Sequence, residues 1–123
     1  MAKFSDDKIQ TVWENAQVVE GSDPITWRQD PCGAFIDRDE YRNKTQYGWE
    51  IDHIFPEAKG GTDRVENLCA MHWRNNESKA DSFPVFQTAV TFKEFENVEH
   101  IEDRKWDELV IKRLKSIYPN IQI

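Results

Sequence analysis

The first pattern along the chain is a set of apolar residues at helical spacing near the N-terminus. Its members are Ile9, Val12, Trp13 and Ala16. Ser5 offers a capping side chain in front of them, and Asp6 and Asp7 suit the positive end of a helix dipole. This pattern predicts a helix over residues 6–18, which the turn-forming sequence EGSDP then ends.

The middle of the chain alternates short apolar runs with polar loops. CGAFI at 32–36 predicts a short strand, and GWEIDHI at 48–54 predicts a second one. A long polar loop, PEAKGGTDRVEN at 56–67, separates that strand from a third at 68–71. The segment 72–81 is compatible with a helix, so the centre predicts strand, long loop, strand and helix.

The C-terminal third predicts a hairpin followed by a helix. Residues 85–92 and 97–103 have the composition of two strands. A terminal helix is predicted over 103–118, ended by Pro119. Its expected apolar stripe consists of Trp106, Leu109, Val110, Leu114 and Ile117. The fold class is therefore α+β.

Composition limits the classes of protein that fit. A chain of 123 residues with 38% hydrophobic content is large enough for one domain, so we expect residues 1–123 to fold together. The sequence lacks an apolar run near the ~20 residues that a membrane helix needs, and its N-terminus lacks the apolar core of a signal peptide. We therefore expect a cytoplasmic protein without a membrane partner.

Charge and cysteine content narrow the choice further. The net charge of −7 opposes long-range attraction to nucleic acid, so DNA binding would depend on local Lys and Arg, a metal ion or a partner. Cys32 and Cys69 stand apart from any C-x-x-C pair, and we expect them to be small, buried, unpaired residues. A structural zinc site is not expected, because the paired Cys or His spacing is missing.

One polar pair interrupts the second predicted strand. Asp52 and His53 stand side by side in WEIDHIF, and Asn75 and Asn76 lie on the helix that follows the next strand. A carboxylate from the strand and an amide oxygen from the helix can share a divalent cation, and such oxygen ligands favour Mg²⁺ or Mn²⁺. Neutral His53 can then accept a proton from water.

The remaining polar position in this region is Asn67, at the end of the long loop. We expect it to hydrogen-bond backbone groups across the loop and so hold the strand in register with the helix. His72 invites assignment as a metal ligand, but a packed, hydrogen-bonded histidine is the favoured interpretation.

The sequence DHIFPEAKGGTDRVENLCAMHWRNNESKAD resembles the motif of the HNH endonucleases, a family with the ββα-metal fold. The resemblance implies that Asp52 and Asn76 are metal ligands, that His53 is the general base and that Asn67 is the middle Asn of the motif. Spacing favours Asn76 over Asn75 as the ligand. The implied core spans about residues 47–82, with an N-terminal helix before it and an extension over 83–123 after it.

The resemblance also implies a metal-dependent DNA endonuclease of weak sequence specificity. Arg74 and Lys79 are the first candidates for phosphate contacts because they share the helix that bears Asn76. Further candidates are Arg28, Arg42, Lys44, Lys59 and Arg64. Many family members carry two C-x-x-C pairs around the motif, whereas His72 and Asn75 stand where the second pair would be. A zinc-free variant is thus expected, with Trp27, Tyr47, Trp49 and Trp73 packing in its place.

A second interpretation belongs to another class of function. The chain could be a catalytically weak HNH-like module that acts through a protein partner, such as an immunity protein or an accessory protein of a nucleoprotein complex. An acidic run suits a basic partner, although a solvated face explains it as well. Its members are Glu94, Glu96, Glu99, Glu102, Asp103, Asp107 and Glu108. The oligomeric state is left open.

Overall fold

The computed structural model describes residues 4–122, and these form a mixed α+β fold. The helices and strands in chain order are α1 (Asp6–Glu14), β1 (Gln17–Val18), β2 (Trp27–Gln29), β3 (Phe35–Asp37), β4 (Trp49–His53), β5 (Leu68–His72), α2 (Trp73–Lys79), β6 (Val85–Gln87), β7 (Val90–Lys93), β8 (Glu96–Glu99), β9 (Asp103–Lys105) and α3 (Glu108–Ile117).

Helix α1 begins where the sequence predicted but ends earlier. The Ser5 side chain accepts a hydrogen bond from the backbone N–H of Lys8, as an N-cap does. The prediction of a helix to residue 18 was wrong at the C-terminal end. Gln17 and Val18 instead form β1, which pairs with β2, and β2 pairs with β3 in an antiparallel sheet. Tertiary pairing thus overrides the local helical preference.

The centre of the fold is the antiparallel pair β4–β5 followed directly by α2. Asp52 lies opposite Cys69 in this pair, and His53 lies opposite Leu68. The His72 side chain accepts a hydrogen bond from the backbone N–H of Arg74 and so caps α2. The predicted order of strand, long loop, strand and helix is confirmed within this stretch.

The loop between β4 and β5 folds back on itself at two glycines. Gly60 has a φ of +110°, which favours glycine. A Cβ atom on Gly61 would lie 1.7 Å from the backbone oxygen of Phe55, so no larger residue fits there without a backbone shift. The two glycines therefore allow the loop to pass close beneath the end of β4.

The C-terminal hairpin is present but interrupted. Strand β7 pairs with β8, and β6 pairs with β9 further along the same two arms. The predicted start of the terminal helix at residue 103 was wrong, because residues 103–105 form β9 and Asp107 is the N-cap of α3. Leu109 does not join the apolar stripe, since it is 80% exposed.

The core consists of two buried clusters. The first joins α1 to the sheet and includes Trp13 and Trp49, whose ring centroids are 5.2 Å apart. The second lies between β4, β5 and the C-terminal segment and includes Trp106 and Leu114. Strand β5 contributes residues to both clusters, with Leu68 and Ala70 in the first and Cys69 and Met71 in the second, so it is packed on both faces. Among the described residues, no helix is long and apolar enough to cross a membrane.

Candidate active site

Three of the residues singled out by sequence line one cavity. Asp52 and His53, at the end of β4, and Asn76, on α2, border a space of about 270 Å³. The remaining lining residues are Ile51, Pro56, Glu57, Ala80 and Asp81. A larger cavity of about 650 Å³ lies elsewhere, and its lining contains neither His53 nor Asn76. The small cavity is therefore the candidate active site.

Asp52 is a buried carboxylate beside a buried lysine. Its side chain is 5% exposed, and its Oδ1 lies 3.3 Å from the Nζ of Lys79, which is fully buried. Burial raises the pKa of Asp52 to about 6, although the Lys79 ammonium opposes this shift. The Cys69 thiol lies 3.8 Å from the other carboxylate oxygen. Desolvation thus outweighs the attraction of Lys79 at this carboxylate.

Asn76 is oriented by a residue that sequence reasoning missed. Its amide nitrogen donates a hydrogen bond of 2.9 Å to Oε1 of Glu50. Because the amide nitrogen of Asn76 donates this hydrogen bond, the amide oxygen is the atom that Asn76 can offer to a cation. Glu50 precedes Asp52 by two positions on β4, and that strand periodicity is the signal that could have found it.

Asn75 has a different environment from Asn76. Its side chain is fully buried, and its amide nitrogen donates to Asp30 and to the backbone oxygen of Val90. Its amide oxygen accepts hydrogen bonds from the backbone N–H groups of Ala89 and Val90. These four hydrogen bonds satisfy the amide, which leaves Asn76 as the neighbour that borders the cavity.

Asn67 makes the hydrogen bonds across the loop that the sequence led us to expect. Its amide oxygen accepts from the backbone N–H of Phe55, and its amide nitrogen donates to the backbone oxygens of Phe55 and Thr62. Its own backbone oxygen accepts from Ile54. The residue is fully buried and lies outside the lining of the cavity. The hydrogen bonds of Asn67 therefore hold the loop in place, and its side chain does not border the cavity.

The imidazole of His53 lies between two carboxylates. Its Nε2 is 2.7 Å from Oδ1 of Asp63, and its Nδ1 is 3.7 Å from Oε1 of Glu57. One ligand atom from each of these three residues lies within 4.8 Å of the other two, so they too could hold a metal ion. Neither acid was singled out from the sequence, although Glu57 lies four positions after His53 and Asp63 lies two positions after the Gly pair.

Four of the seven predicted phosphate contacts, Lys79, Arg28, Arg74 and Lys59, differ in burial and in their partners. Lys79 is buried, and its ammonium donates to the backbone oxygen of His53 as well as contacting Asp52. The Arg28 guanidinium donates to three backbone oxygens near α1. Arg74 pairs with Glu99, and Lys59 is exposed in the turn that follows Pro56. Only Arg74 and Lys59 of these four thus present exposed cations.

The positions where the second cysteine pair would stand are tied together by Asp30. This buried carboxylate accepts hydrogen bonds from the backbone N–H of His72 and from the Asn75 amide. It also accepts from the backbone N–H groups of Cys32 and Ala34. Burial raises the pKa of Asp30 while these donors lower it. The carboxylate therefore links the β2–β3 turn to the start of α2.

His72 is packed and hydrogen-bonded and Cys32 is buried, as predicted, whereas Cys69 is only partly buried. The Nδ1 atom of His72 accepts from Arg74, so its Nε2 carries the proton that is donated to the backbone oxygen of Gln46. Both cysteines are free, and burial raises the pKa of each thiol.

The four aromatic residues expected to replace a zinc staple do not form one cluster. Trp27 packs edge-on against Tyr47, whereas Trp49 packs with Trp13.

Comparison with known families identifies the central segment. Residues 32–82 match the model of the family described as HNH endonuclease. This segment of the chain is therefore similar to the HNH endonucleases. The match begins just before β3 and ends after α2, so it contains the whole candidate active site and leaves the C-terminal hairpin and helix outside. No curated protein and no solved structure matches the chain. Similarity to this family indicates nuclease activity in general.

Proposed function

We propose that this chain is an endonuclease that hydrolyses DNA phosphodiester bonds with one divalent cation, Mg²⁺ or Mn²⁺, and with His53 as general base. The observation that carries the proposal is the shared cavity. Asp52, His53 and Asn76 border one space, and all three lie within the segment that matches the HNH family. A cation held by Asp52 and Asn76 would lie beside the base.

The donor set at this cavity fits a hard cation. Asp52 offers carboxylate oxygens and Asn76 offers its amide oxygen, with Glu50 fixing the amide. Mg²⁺ and Mn²⁺ prefer such oxygen ligands and keep several positions for water and phosphate. When bound, the cation would offset negative charge on the phosphate and on the departing oxygen. The group of His53, Glu57 and Asp63 contains an imidazole, which favours softer transition metals.

Lys79 has a supporting role in this proposal. Its ammonium lies against Asp52 and against the backbone of His53, so it opposes the effect of burial on the carboxylate and ties α2 to the end of β4. Arg74 and Lys59 are the proposed phosphate contacts, since the Arg74 side chain is 41% exposed and Lys59 is exposed in its turn. Arg28 instead holds β2 to the end of α1. With a net charge of −7 and two proposed phosphate contacts, affinity for DNA should be modest and should fall as the salt concentration rises.

The chemistry assigned to the chain's own residues is brief. His53 takes a proton from a water molecule, and that water attacks phosphorus. Asn67 keeps the loop that follows His53 in place through its hydrogen bonds to Phe55 and Thr62. The bond from phosphorus to the 3′ oxygen breaks, and the departing oxygen takes a proton from solvent, which leaves a 5′-phosphate and a 3′-hydroxyl end.

Nicking of supercoiled plasmid by the pure protein tests the proposal. Wild type and His53→Ala are compared in Mg²⁺, in Mn²⁺ and in EDTA at low salt. We expect nicking in either metal, none in EDTA, and a loss of about 100-fold or more in His53→Ala. Absence of nicking by the wild type under all conditions would overturn the proposal and favour a module that acts through a protein partner.

A further inference from the structure

The two ring nitrogens of His53 differ in their surroundings. Nε2 lies 2.7 Å from a carboxylate oxygen of Asp63, which is hydrogen-bond distance. Nδ1 lies 3.7 Å from the nearest carboxylate oxygen of Glu57, which is too far for a direct hydrogen bond. Because an ionised carboxylate only accepts hydrogen bonds, the proton of the neutral ring belongs on Nε2.

The cavity distinguishes the same two sides of the ring. Glu57 belongs to the lining of the cavity that Asp52 and Asn76 border, and Asp63 does not. The Nδ1 edge of the imidazole thus lies on the side of Glu57, which borders the cavity, and the Nε2 edge lies on the side of Asp63, which does not. With the proton on Nε2, the lone pair of Nδ1 is available at the place where a water molecule would be activated.

The segment that carries Asp63 is anchored from three directions. The amide of Asn67 donates to the backbone oxygen of Thr62 from within the loop. The Tyr118 hydroxyl, at the end of α3, accepts from the backbone N–H of Thr62. The ammonium of Lys8, on α1, donates to the backbone oxygen of Asp63 over 2.7 Å. These contacts hold the Asp63 carboxylate against His53, although its side chain is 53% exposed.

We infer that Asp63 is a positioning residue for the general base: it holds the His53 ring with the proton on Nε2 and presents Nδ1 to the cavity as the proton acceptor. The inference rests on the proposed function, because it deepens the role of His53. The C-terminal extension would then support the general base, since Tyr118 anchors the loop that carries Asp63. The carboxylate would further stabilise the imidazolium that forms when Nδ1 takes a proton.

Two substitutions separate the contributions of Asp63, and a third serves as control. Asp63→Ala removes both the acceptor and the charge, whereas Asp63→Asn keeps an oxygen that can accept from Nε2–H. We expect Asp63→Ala to lower kcat for plasmid nicking about 10- to 100-fold at unchanged KM, by analogy with other groups that orient a functional histidine. Asp63→Asn should recover part of that loss. Asp103→Ala, which removes an exposed aspartate on β9, should leave kcat unchanged.

A spectroscopic measurement tests the geometry without any activity. Proton–nitrogen NMR of the ring, assigned with His53→Ala and recorded where the imidazole is neutral, should show a protonated Nε2 and a downfield, slowly exchanging N–H signal. That signal should vanish in Asp63→Ala. A wild type that nicks no DNA but shows this signal would overturn the proposed function and retain the positioning geometry. A proton on Nδ1, or Asp63→Ala with kcat within twofold of wild type, would overturn the inference.

Discussion

Replacing Lys79 by Met is the substitution that separates two roles for this lysine. The sequence suggested a phosphate contact, whereas the structure buries the ammonium completely beside Asp52. Met keeps most of the apolar stem and removes the charge. The change therefore leaves the Asp52 carboxylate buried without its cation and the backbone oxygen of His53 without its donor.

The size of the expected effect follows from burial. Breaking a buried ion pair by removing one partner costs about 3–5 kcal/mol, because the other charge stays behind without compensation. Burial already raises the pKa of Asp52 to about 6 with Lys79 in place, so the ionised carboxylate is destabilised even when its cation is present. The cavity beside it admits water, which places the estimate at the lower end, about 3 kcal/mol.

Urea unfolding at pH 8 in EDTA measures this cost. A cycle of wild type, Lys79→Met, Asp52→Asn and the double variant isolates the coupling between the two side chains. We expect Lys79→Met to lose about 3 kcal/mol and the double variant to be more stable than Lys79→Met alone. Lys59→Met, which removes an exposed lysine from a loop turn, should change the free energy of unfolding by less than about 0.5 kcal/mol.

One pattern of results would refute this reasoning. If Lys79→Met unfolds within about 1 kcal/mol of wild type, the buried pair does not stabilise the fold as argued. If the same variant also raises KM for DNA and weakens the salt dependence of binding, Lys79 contacts phosphate as the sequence suggested.

Three further predictions concern the scaffold around the site. Asp30→Ala should destabilise the fold by about 3–4 kcal/mol in urea unfolding, because four N–H donors lose their acceptor, and an effect below about 1 kcal/mol would show that Asp30 does not link the two segments. Gly61→Ala should cost about 2–3 kcal/mol from its clash with a backbone oxygen, more than Gly60→Ala at about 1 kcal/mol, and the reverse order in thermal unfolding would contradict the loop geometry. Burial lowers the pKa of His72, so the unfolded chain binds a proton more readily than the folded chain, and the free energy of unfolding should fall as the pH drops below about 6.5, by up to about 1.4 kcal/mol per pH unit. His72→Asn, which keeps a capping side chain, should remove this pH dependence, and an equal slope in both proteins would refute the assignment.

The sequence predicted the central elements well because local signals there agree with the tertiary fold. The apolar alternation of β4 and the polar pair at its end matched the observed strand. Helix ends were less predictable, because long-range pairing decides them. Gln17 and Val18 join β2, and Asp103 joins β6, so neither α1 nor α3 reaches its predicted length.

The candidate site was predicted only in part for a related reason. Asp52, His53 and Asn76 could be identified from their spacing, since the family motif fixes it. Burial could not be read from residue type, and so Lys79 was taken for a surface cation. Contacts made across the fold, such as that between Asp63 and His53, depend on how a loop is anchored by distant residues.

The measurement that tests the central claim most directly is Mn²⁺ binding, followed by electron paramagnetic resonance, to wild type and to Asp52→Ala, Asn76→Ala and His53→Ala. The account predicts that Asp52→Ala and Asn76→Ala bind the ion at least 10-fold more weakly. His53→Ala should bind it like the wild type, although it has lost nicking. Loss of Mn²⁺ binding in His53→Ala, with Asp52→Ala and Asn76→Ala unaffected, would contradict the account and place the ion at His53, Glu57 and Asp63 instead.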